Sequence, residues 1–180
     1  MKIVKFCDLG AEPLLMRCAE TANVAEKVSD IIREVAAKGD EALRAYAKLF
    51  DGAELAAIEV TQEELDAAVA AVDPELLRVL RSAAENIREF HSKQVREGFT
   101  YQRDNGAILS QRITPIEKVG LYVPGGTAPL FSTVLMLAVP AKIAGCKEIV
   151  LCTPPNKEGK VHPAILYAAQ VAGVSKIFKA

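Results

Sequence analysis

Apolar residues recur at helical spacing through much of the first half of the chain. One such stripe ends at Lys38-Gly39 and predicts an amphipathic helix; its members are Val24, Val28, Ile31, Ile32 and Val35. A short helix is predicted after Asp40 and closes at Asp51-Gly52. The longest predicted helix opens at Asp73-Pro74, because proline suits the first helical position, where no amide hydrogen bond is needed. Its apolar stripe runs to Gly98 and comprises Leu76, Leu77, Leu80, Ala84, Ile87, His91 and Val95.

Two local motifs predict how neighbouring segments begin and turn. Thr61 and Glu64 have the spacing of a capping box, in which each side chain satisfies the other's free backbone amide at a helix start. Asn105-Gly106 separates two β-prone runs, residues 99–104 and 107–113. These two residues supply the positive φ that a type I′ turn needs, so they predict a hairpin with that turn. Residues 58–60 form a short extended piece.

From Val119 onward, short β-prone apolar runs alternate with apolar stretches of helical length. The first run ends abruptly at Pro124-Gly125-Gly126, and the second, Glu148–Cys152, follows a helical stretch that stops at Gly145. A further helix leads to a third strand over residues 175–178. This order predicts a parallel βαβ unit, in which ligands bind beyond the carboxyl ends of the strands and a helix N-terminus favours phosphate.

These patterns predict an α/β fold with two parts. A first lobe of helices and a hairpin is followed by the start of a Rossmann-like parallel βαβ nucleotide-binding lobe. We expect an N-terminal arm over residues 1–20, an incomplete first lobe over residues 21–119, and a truncated nucleotide-binding lobe over residues 120–180.

Composition and charge narrow the class of protein. Hydrophobic residues make up 51% of the chain and aromatic residues 6%, as in a helix-rich α/β domain. A net charge of -1 gives no general attraction to nucleic acid or to an anionic membrane. Residues 1–10 lack the apolar core of a signal peptide, and Pro129, Pro140 and Lys142 interrupt the most apolar run. We therefore expect a cytoplasmic protein.

The cysteines and histidines offer little chemistry by their spacing. Cys7, Cys18, Cys146 and Cys152 form neither a C-x-x-C pair nor a metal-type pattern, and a cytosolic chain keeps them reduced. Cys146 and Cys152 raise the possibility of a thiol nucleophile for aldehyde oxidation, but packing is favoured because no histidine is beside either. His91 falls on the apolar helix stripe, which indicates a core or interface residue. His162 precedes Pro163 and suits a helix cap or a solvated loop.

Some polar residues near helix starts have two interpretations. Ser132 and Thr133 follow the glycine turn, where they would cap the next helix or face a bound phosphate. Glu63 and Glu64 fit first-turn carboxylates that complement the helix dipole, rather than a general acid/base pair.

The end of the first βαβ strand holds the strongest ligand-binding candidates. Tyr122 would stack on a nucleotide ring or pack within the sheet, and the residues alone leave both open. Gly125 and Gly126 would permit close approach of a ligand to the backbone, or would only form a tight turn. No G-x-G-x-x-G fingerprint is present, so these residues alone do not indicate NAD.

Residues 119–155 closely resemble histidinol dehydrogenase, the NAD- and zinc-dependent enzyme that completes histidine biosynthesis. The resemblance continues upstream through residues 84–91 and 38–43, so it covers nearly the whole chain. Family members are more than twice this length. Their metal ligands and catalytic acid/base pair lie in the downstream half, so the resemblance implies that those residues come after Ala180.

The resemblance also implies roles for residues in this chain. Tyr122 matches the family's NAD-contacting tyrosine, and Pro124 matches a neighbouring cofactor contact; Gly125 and Gly126 complete the expected segment. The whole enzyme would oxidise L-histidinol through L-histidinal to L-histidine with NAD and zinc, as a homodimer. This chain alone would be inactive.

The alternative is a non-catalytic α/β module that binds a nucleotide or phosphate, or that dimerises.

A further expectation concerns the stability of the two parts of the chain. A parallel sheet needs cover on both faces, so we expect the part after residue 120 to be loose or to self-associate, and residues 22–113 to complete more of their own core.

Overall fold

The computed structural model describes residues 24–125 and 128–180, and these residues belong to two units: the first holds residues 24–39, and the second holds the described residues from Asp40 to Ala180. In the first unit, helix α1 spans Val24–Lys38 and ends at Gly39, whose φ is +55°. Both bounds match the apolar stripe. None of the fifteen residues of α1 is buried. Cys7, Cys18 and Gly126, named above as candidates, lie outside the described residues.

The second unit begins with the predicted helices. Helix α2 spans Asp40–Tyr46 and continues as a π-helical turn, Ala47–Asp51. Helix α3 spans Gln62–Ala71, and helix α4 spans Pro74–Ser92. The Asp73 side chain caps α4, since its carboxylate accepts hydrogen bonds from the amides of Glu75 at 2.9 Å and Leu76 at 3.2 Å. The predicted start of α4 is confirmed, but the helix ends at Ser92, before the predicted end at Gly98.

The βαβ pattern is confirmed as a sheet of three parallel strands within the described residues. Strands β3 (Lys118–Tyr122), β4 (Glu148–Thr153) and β5 (Lys176–Lys179) are neighbours in that order. Helices α5 (Phe131–Ile143) and α6 (Pro163–Ala172) connect them. These helices pack against each other, and α3 and α4 form a further layer against them.

The main hydrophobic core lies between the sheet and these helices. Alternate residues of β4, namely Ile149, Leu151 and Thr153, are buried on the helix face. The opposite face of the sheet is less covered, since Val150 and Cys152 are only half-buried. A smaller cluster, formed by Ala47, Ala53, Leu55 and Ile58, packs against Phe178 at the β5 end.

The extended piece at residues 58–60 is confirmed, and it pairs with the outer edge of β5. Glu59 forms an antiparallel bridge with Phe178. The Lys179 amide donates to the Ile58 carbonyl at 2.8 Å, and the Val60 amide donates to the Ile177 carbonyl at 2.9 Å. This segment therefore covers the edge of β5.

The hairpin is confirmed, but its predicted turn is wrong. Strands β1 (Phe99–Gln102) and β2 (Ile108–Gln111) pair in antiparallel fashion. Gly106 has φ +85°, whereas Asn105 has a negative φ, so a type I′ turn is excluded. The Gly106 amide donates to the Arg103 carbonyl at 2.9 Å, and the Arg103 amide donates to the Ala107 carbonyl at 2.8 Å. This is a three-residue loop with glycine in the left-handed position.

Two predictions about helix caps also need correction. The Glu64 amide donates to Thr61 Oγ1 at 3.2 Å, as a capping box requires. The reciprocal bond is replaced, because the Glu64 carboxylate accepts from Lys179 Nζ. Ser132 and Thr133 do not cap α5; its N-cap is Leu130, and the two residues lie inside the first turn.

The expectation that residues 22–113 complete more of their own core is wrong. Every strand residue of the hairpin is exposed, and so is most of α1. Most residues of the main core come from residues 123–177. The buried centre of the chain is the βαβ unit, which obtains its outer cover from α3 and α4.

Candidate functional site

A cavity of about 380 Å³ lies at the carboxyl end of the sheet, where β3 and β4 run into their following loops. Three segments form its walls: the loop after β3, the loop after β4, and the start of α6. The lining residues are Pro124, Gly125, Ala128, Pro129, Thr153, Pro154, Pro155, Asn156, Lys160, His162, Pro163 and Ile165. This is the position at which open α/β sheets bind ligands.

Thr153, the last residue of β4, carries an unsatisfied polar atom. Its side chain is 0% exposed, and its Oγ1 has no hydrogen-bond partner among the described residues. A buried hydroxyl without a partner costs about 1–3 kcal/mol, and such groups are uncommon in folded proteins. Strand alternation accounts for the burial, since Thr153 follows Ile149 and Leu151 on the helix face.

The ionisable side chains that line the cavity are a lysine and a histidine. Lys160 and His162 line it, and no Asp or Glu is among the described lining residues. The Ala164 amide donates to His162 Nδ1 at 3.2 Å, so in the neutral ring the proton is on Nε2, which is left as a donor. His162 thereby caps α6, and the positive end of that helix dipole lies beside the cavity. The predicted role of His162 as a cap is confirmed.

The loop between β4 and α6 is held in shape by Asn156. Its side-chain oxygen accepts hydrogen bonds from the amides of Lys160 at 2.9 Å and Glu158 at 3.1 Å. The Asn156 amide in turn donates to the Lys160 carbonyl at 2.9 Å. These bonds fix the backbone of Lys160 at the rim of the cavity.

The four residues expected to contact a cofactor are found in different places. Pro124 and Gly125 line the cavity. A Cβ built on Gly125 would lie 2.6 Å from Cγ of Pro154, so packing against that ring explains the glycine. Tyr122 is 60% exposed and pairs in register with Cys152, on the sheet face opposite Thr153. It does not line the cavity, and Gly126 lies outside the described residues.

The sequence-based predictions missed a buried ion pair between β5 and α3. Lys179 Nζ lies 3.0 Å from Glu64 Oε2, and the Lys179 side chain is only 7% exposed. Lys179 is the register neighbour of Thr153. One signal for this burial was available in the sequence: Lys179 lies two residues after Ile177 in β5, so the two side chains are on the same, buried face of the strand.

Packing and local hydrogen bonds, rather than catalysis, account for Cys146, Cys152 and His91. Burial raises the pKa of the Cys152 thiol, which disfavours the thiolate that a nucleophile requires. Cys146 is buried. His91 is half-buried, and its Nδ1 lies 2.7 Å from Oε1 of Gln94. Within residues 24–125 and 128–180, no three His, Cys, Asp or Glu side chains form a group suited to a metal ion.

Comparison with known proteins identifies the family. A family model described as histidinol dehydrogenase matches residues 16–180 of the chain. The chain belongs to the histidinol dehydrogenase family.

Several members of the histidinol dehydrogenase family are close relatives. A histidinol dehydrogenase of Bacteroides fragilis is 54% identical over 100% of this chain and 42% of its own length. One from Methanosarcina mazei is 47% identical over 99% of this chain and 41% of its own length. The crystal structure of the enzyme from Elizabethkingia anophelis superposes with a TM-score of 0.87 at 42% identity, over 94% of this chain and 39% of that one.

The chain therefore spans about two fifths of the length of its histidinol dehydrogenase relatives. The similarity supports the α/β fold that the sequence predicts. No described helix has the length and apolar character needed to span a membrane.

Proposed function

We propose that this chain is the N-terminal portion of an NAD-dependent enzyme that oxidises L-histidinol through L-histidinal to L-histidine, the last steps of histidine biosynthesis. The observation that carries the proposal is the 54% identity, over all of this chain, to a protein named histidinol dehydrogenase. The cavity at the carboxyl end of the sheet is consistent with a cofactor site in this portion.

The residues of this chain would bind and orient the cofactor rather than carry out proton transfer. Bound NAD supplies the hydride acceptor. Tyr122, exposed at the end of β3, offers a ring face for stacking, and Pro124 shapes the cavity wall beside it. Gly125, and Gly126 by the family resemblance, would let the loop approach the cofactor closely.

Zinc and the acid/base pair belong to the proposal but not to the described residues. The family resemblance implies that the zinc ligands come after Ala180. The same applies to the catalytic acid and base. The lobe boundaries at residues 20 and 120, a homodimeric assembly and a cytoplasmic location complete the proposal.

The proposal is tested by an activity assay on the longer protein that contains this sequence. With L-histidinol, NAD and zinc, we expect nicotinamide reduction at two NAD per histidinol, measured by absorbance. The downstream sequence should supply a zinc-ligand set of His, Asp and Gln. A protein that binds NAD but reduces none in the presence of histidinol would contradict the proposal.

That outcome would favour the second candidate, a non-catalytic nucleotide- or phosphate-binding module. The observation in its favour is that the cavity is lined by four polar side chains of this chain, those of Thr153, Asn156, Lys160 and His162. Its ligand would need no residue after Ala180.

A further inference from the structure

We propose that the free edge of β1 is an interaction surface for a second copy of this chain. Two β1 strands pair in antiparallel fashion about a twofold axis at Thr100, so that two hairpins form one four-stranded sheet. The inference deepens the homodimeric assembly in the proposed function and rests on it for the presence of a second copy. It does not depend on the proposed activity.

The first argument is that the hairpin has little cover of its own. Every strand residue of the hairpin is exposed, and among the described elements β1 and β2 contact mainly each other. A two-stranded hairpin alone is only marginally stable, and further strands or a packed apolar face stabilise it. The cross-strand pairs place Phe99, Tyr101 and Leu109 on one face, where each is more than half exposed. This apolar face therefore lacks a partner among the described residues.

The second argument is the backbone at the outer edge of β1. The Arg103 amide donates to the Ala107 carbonyl at 2.8 Å. Hydrogen-bonded and non-bonded pairs alternate in an antiparallel ladder, so every second residue of β1, counted back from Arg103, bonds to β2. The amides and carbonyls of the residues between, Thr100 and Gln102, point away from β2. Such an edge is a template for pairing with another strand.

The third argument is that the charges around β1 are complementary to themselves. When two copies run antiparallel with Thr100 opposite Thr100, Arg96 faces Asp104 of the second copy, and Glu97 faces Arg103. The twofold axis repeats both pairs, and no like charges face each other. All four charged side chains are exposed, and none forms an ion pair with another described residue. Opposite charges directly across two strands stabilise their pairing.

The same stretch of sequence specifies where the axis lies. An axis at Thr100 brings Phe99 opposite Tyr101 of the second copy, and aromatic pairs of this kind stabilise antiparallel strands. It also brings the outward-pointing backbone groups of the two strands together, because even-numbered residues then face even-numbered residues. An axis at Tyr101 brings Arg103 opposite Phe99 instead, and both ion pairs are lost.

Pairing at this edge also joins the apolar faces of the two hairpins. Residues directly opposite each other in a sheet point to the same face, so Phe99, Tyr101 and Leu109 of both copies form one surface. The resulting sheet has four strands and a continuous apolar face. It therefore meets the requirement for stability that the single hairpin does not meet.

The experiment measures self-association of the chain by sedimentation equilibrium over a range of concentrations. Glu97→Arg and Arg103→Glu should each weaken the dimer by about tenfold or more, because each substitution replaces both copies of an ion pair with like charges. The double variant, Glu97→Arg with Arg103→Glu, restores opposite charges across the axis. It should associate within about threefold of the parent.

The control for the charge change is Arg112→Glu. Arg112 is exposed and follows β2, so this substitution makes the same charge change on the hairpin away from the free edge of β1. Association should stay within about twofold of the parent, since no partner charge faces this position in the proposed sheet.

Hydrogen exchange identifies the edge that pairs. The amides of Thr100 and Gln102 should gain protection as the concentration of the chain rises. The amides of Ile108 and Ser110 point outward from the opposite edge of the hairpin, and they should not gain protection.

The interface is overturned if the chain shows no concentration-dependent association, if the double variant recovers none of the loss, or if Arg112→Glu weakens association as much as Arg103→Glu. Protection of Thr100 and Gln102 that does not change with concentration would also overturn it, because a segment of the same chain would then cover the edge. The activity assay is independent of these results. A longer protein that oxidises histidinol normally would keep the proposed activity even if β1 did not self-associate.

Discussion

At the scale of a single residue, Gly125 shows how close packing can require a glycine. A Cβ at this position would meet the ring of Pro154 at 2.6 Å. We predict that Gly125→Ala lowers the free energy of unfolding by about 1–3 kcal/mol, because the loop must shift to relieve the overlap. Urea denaturation measures the change.

Gly120 provides the matched control for this substitution. It lies in β3, and no atom is within 4 Å of a Cβ built on it. Gly120→Ala should be neutral or slightly stabilising, since alanine loses less conformational freedom on folding. Equal destabilisation by the two substitutions would indicate that strand geometry, rather than the Pro154 contact, requires the glycines.

The cofactor proposal makes a direct prediction for Tyr122. In the longer enzyme, Tyr122→Ala should raise the KM for NAD and leave the zinc content unchanged, since the substitution removes a proposed stacking surface and none of the proposed zinc ligands. Phe90→Ala is the control, because Phe90 is 65% exposed on α4. Steady-state kinetics measures the KM for NAD, and metal analysis measures the zinc content. An unchanged KM would mean that Tyr122 serves only in packing.

At the scale of secondary-structure elements, the Lys179–Glu64 pair joins β5 to the first turn of α3. Lys179→Met should destabilise the protein by about 3 kcal/mol, because it leaves the half-buried Glu64 carboxylate without its partner. The double variant Lys179→Met, Glu64→Leu should recover most of that loss. Denaturation of the single and double variants gives their free energies of unfolding, which are compared in a double-mutant cycle.

The exposed pair Lys48–Glu54 is the control for the buried one. Lys48→Met should leave the denaturation midpoint nearly unchanged, since solvent screens this pair. If the double variant at positions 179 and 64 were as unstable as Lys179→Met, the loss would come from packing of the lysine stem and not from charge.

The sequence predicts elements better than it predicts their tertiary contacts. Apolar periodicity and terminal signals such as Asp73-Pro74 located the helices and strands, because these signals are local. The hairpin turn was mispredicted because Asn-Gly suits more than one loop, and the alternative bond pattern depends on Arg103 and Ala107. The partner of Glu64 is 115 residues away, so no local pattern could reveal it.

The candidate site was predictable in outline only. The position after β3 and the residues Pro124 and Gly125 follow from the strand–turn–helix order. Thr153 and Lys160 could not be assigned from the sequence, because their proximity to this loop depends on the parallel pairing of β3 with β4.

At the scale of the whole molecule, the chain lacks most of the length of its relatives. We predict that it has no dehydrogenase activity alone, because proton transfer and substrate positioning contribute many orders of magnitude to the rate. The purified chain with histidinol, NAD and zinc should match a protein-free control in nicotinamide absorbance. Turnover above that control would show that the residues after Ala180 are dispensable.

The distribution of burial predicts the dynamics of the chain. In the monomeric chain, amide exchange should be slowest in α6, where most residues are buried, and in β4, where every second residue is buried. It should be fastest in the β1–β2 hairpin, all of whose strand residues are exposed. Hydrogen exchange read by segment measures this order. Protection of the hairpin equal to that of α6 would indicate that it packs against another molecule, which light scattering would detect.

The short segment paired with β5 has a consequence for how the sheet can grow. Residues 58–60 occupy the outer edge of β5, so any further parallel strand must join beside β3. The strand order would then reverse direction at β3, and doubly wound sheets have their ligand crevice at such a topological switch point. In this sheet that crevice would open directly beside Tyr122 and Pro124. A three-residue edge segment at one side of the sheet would then determine where the proposed cofactor binds at the other.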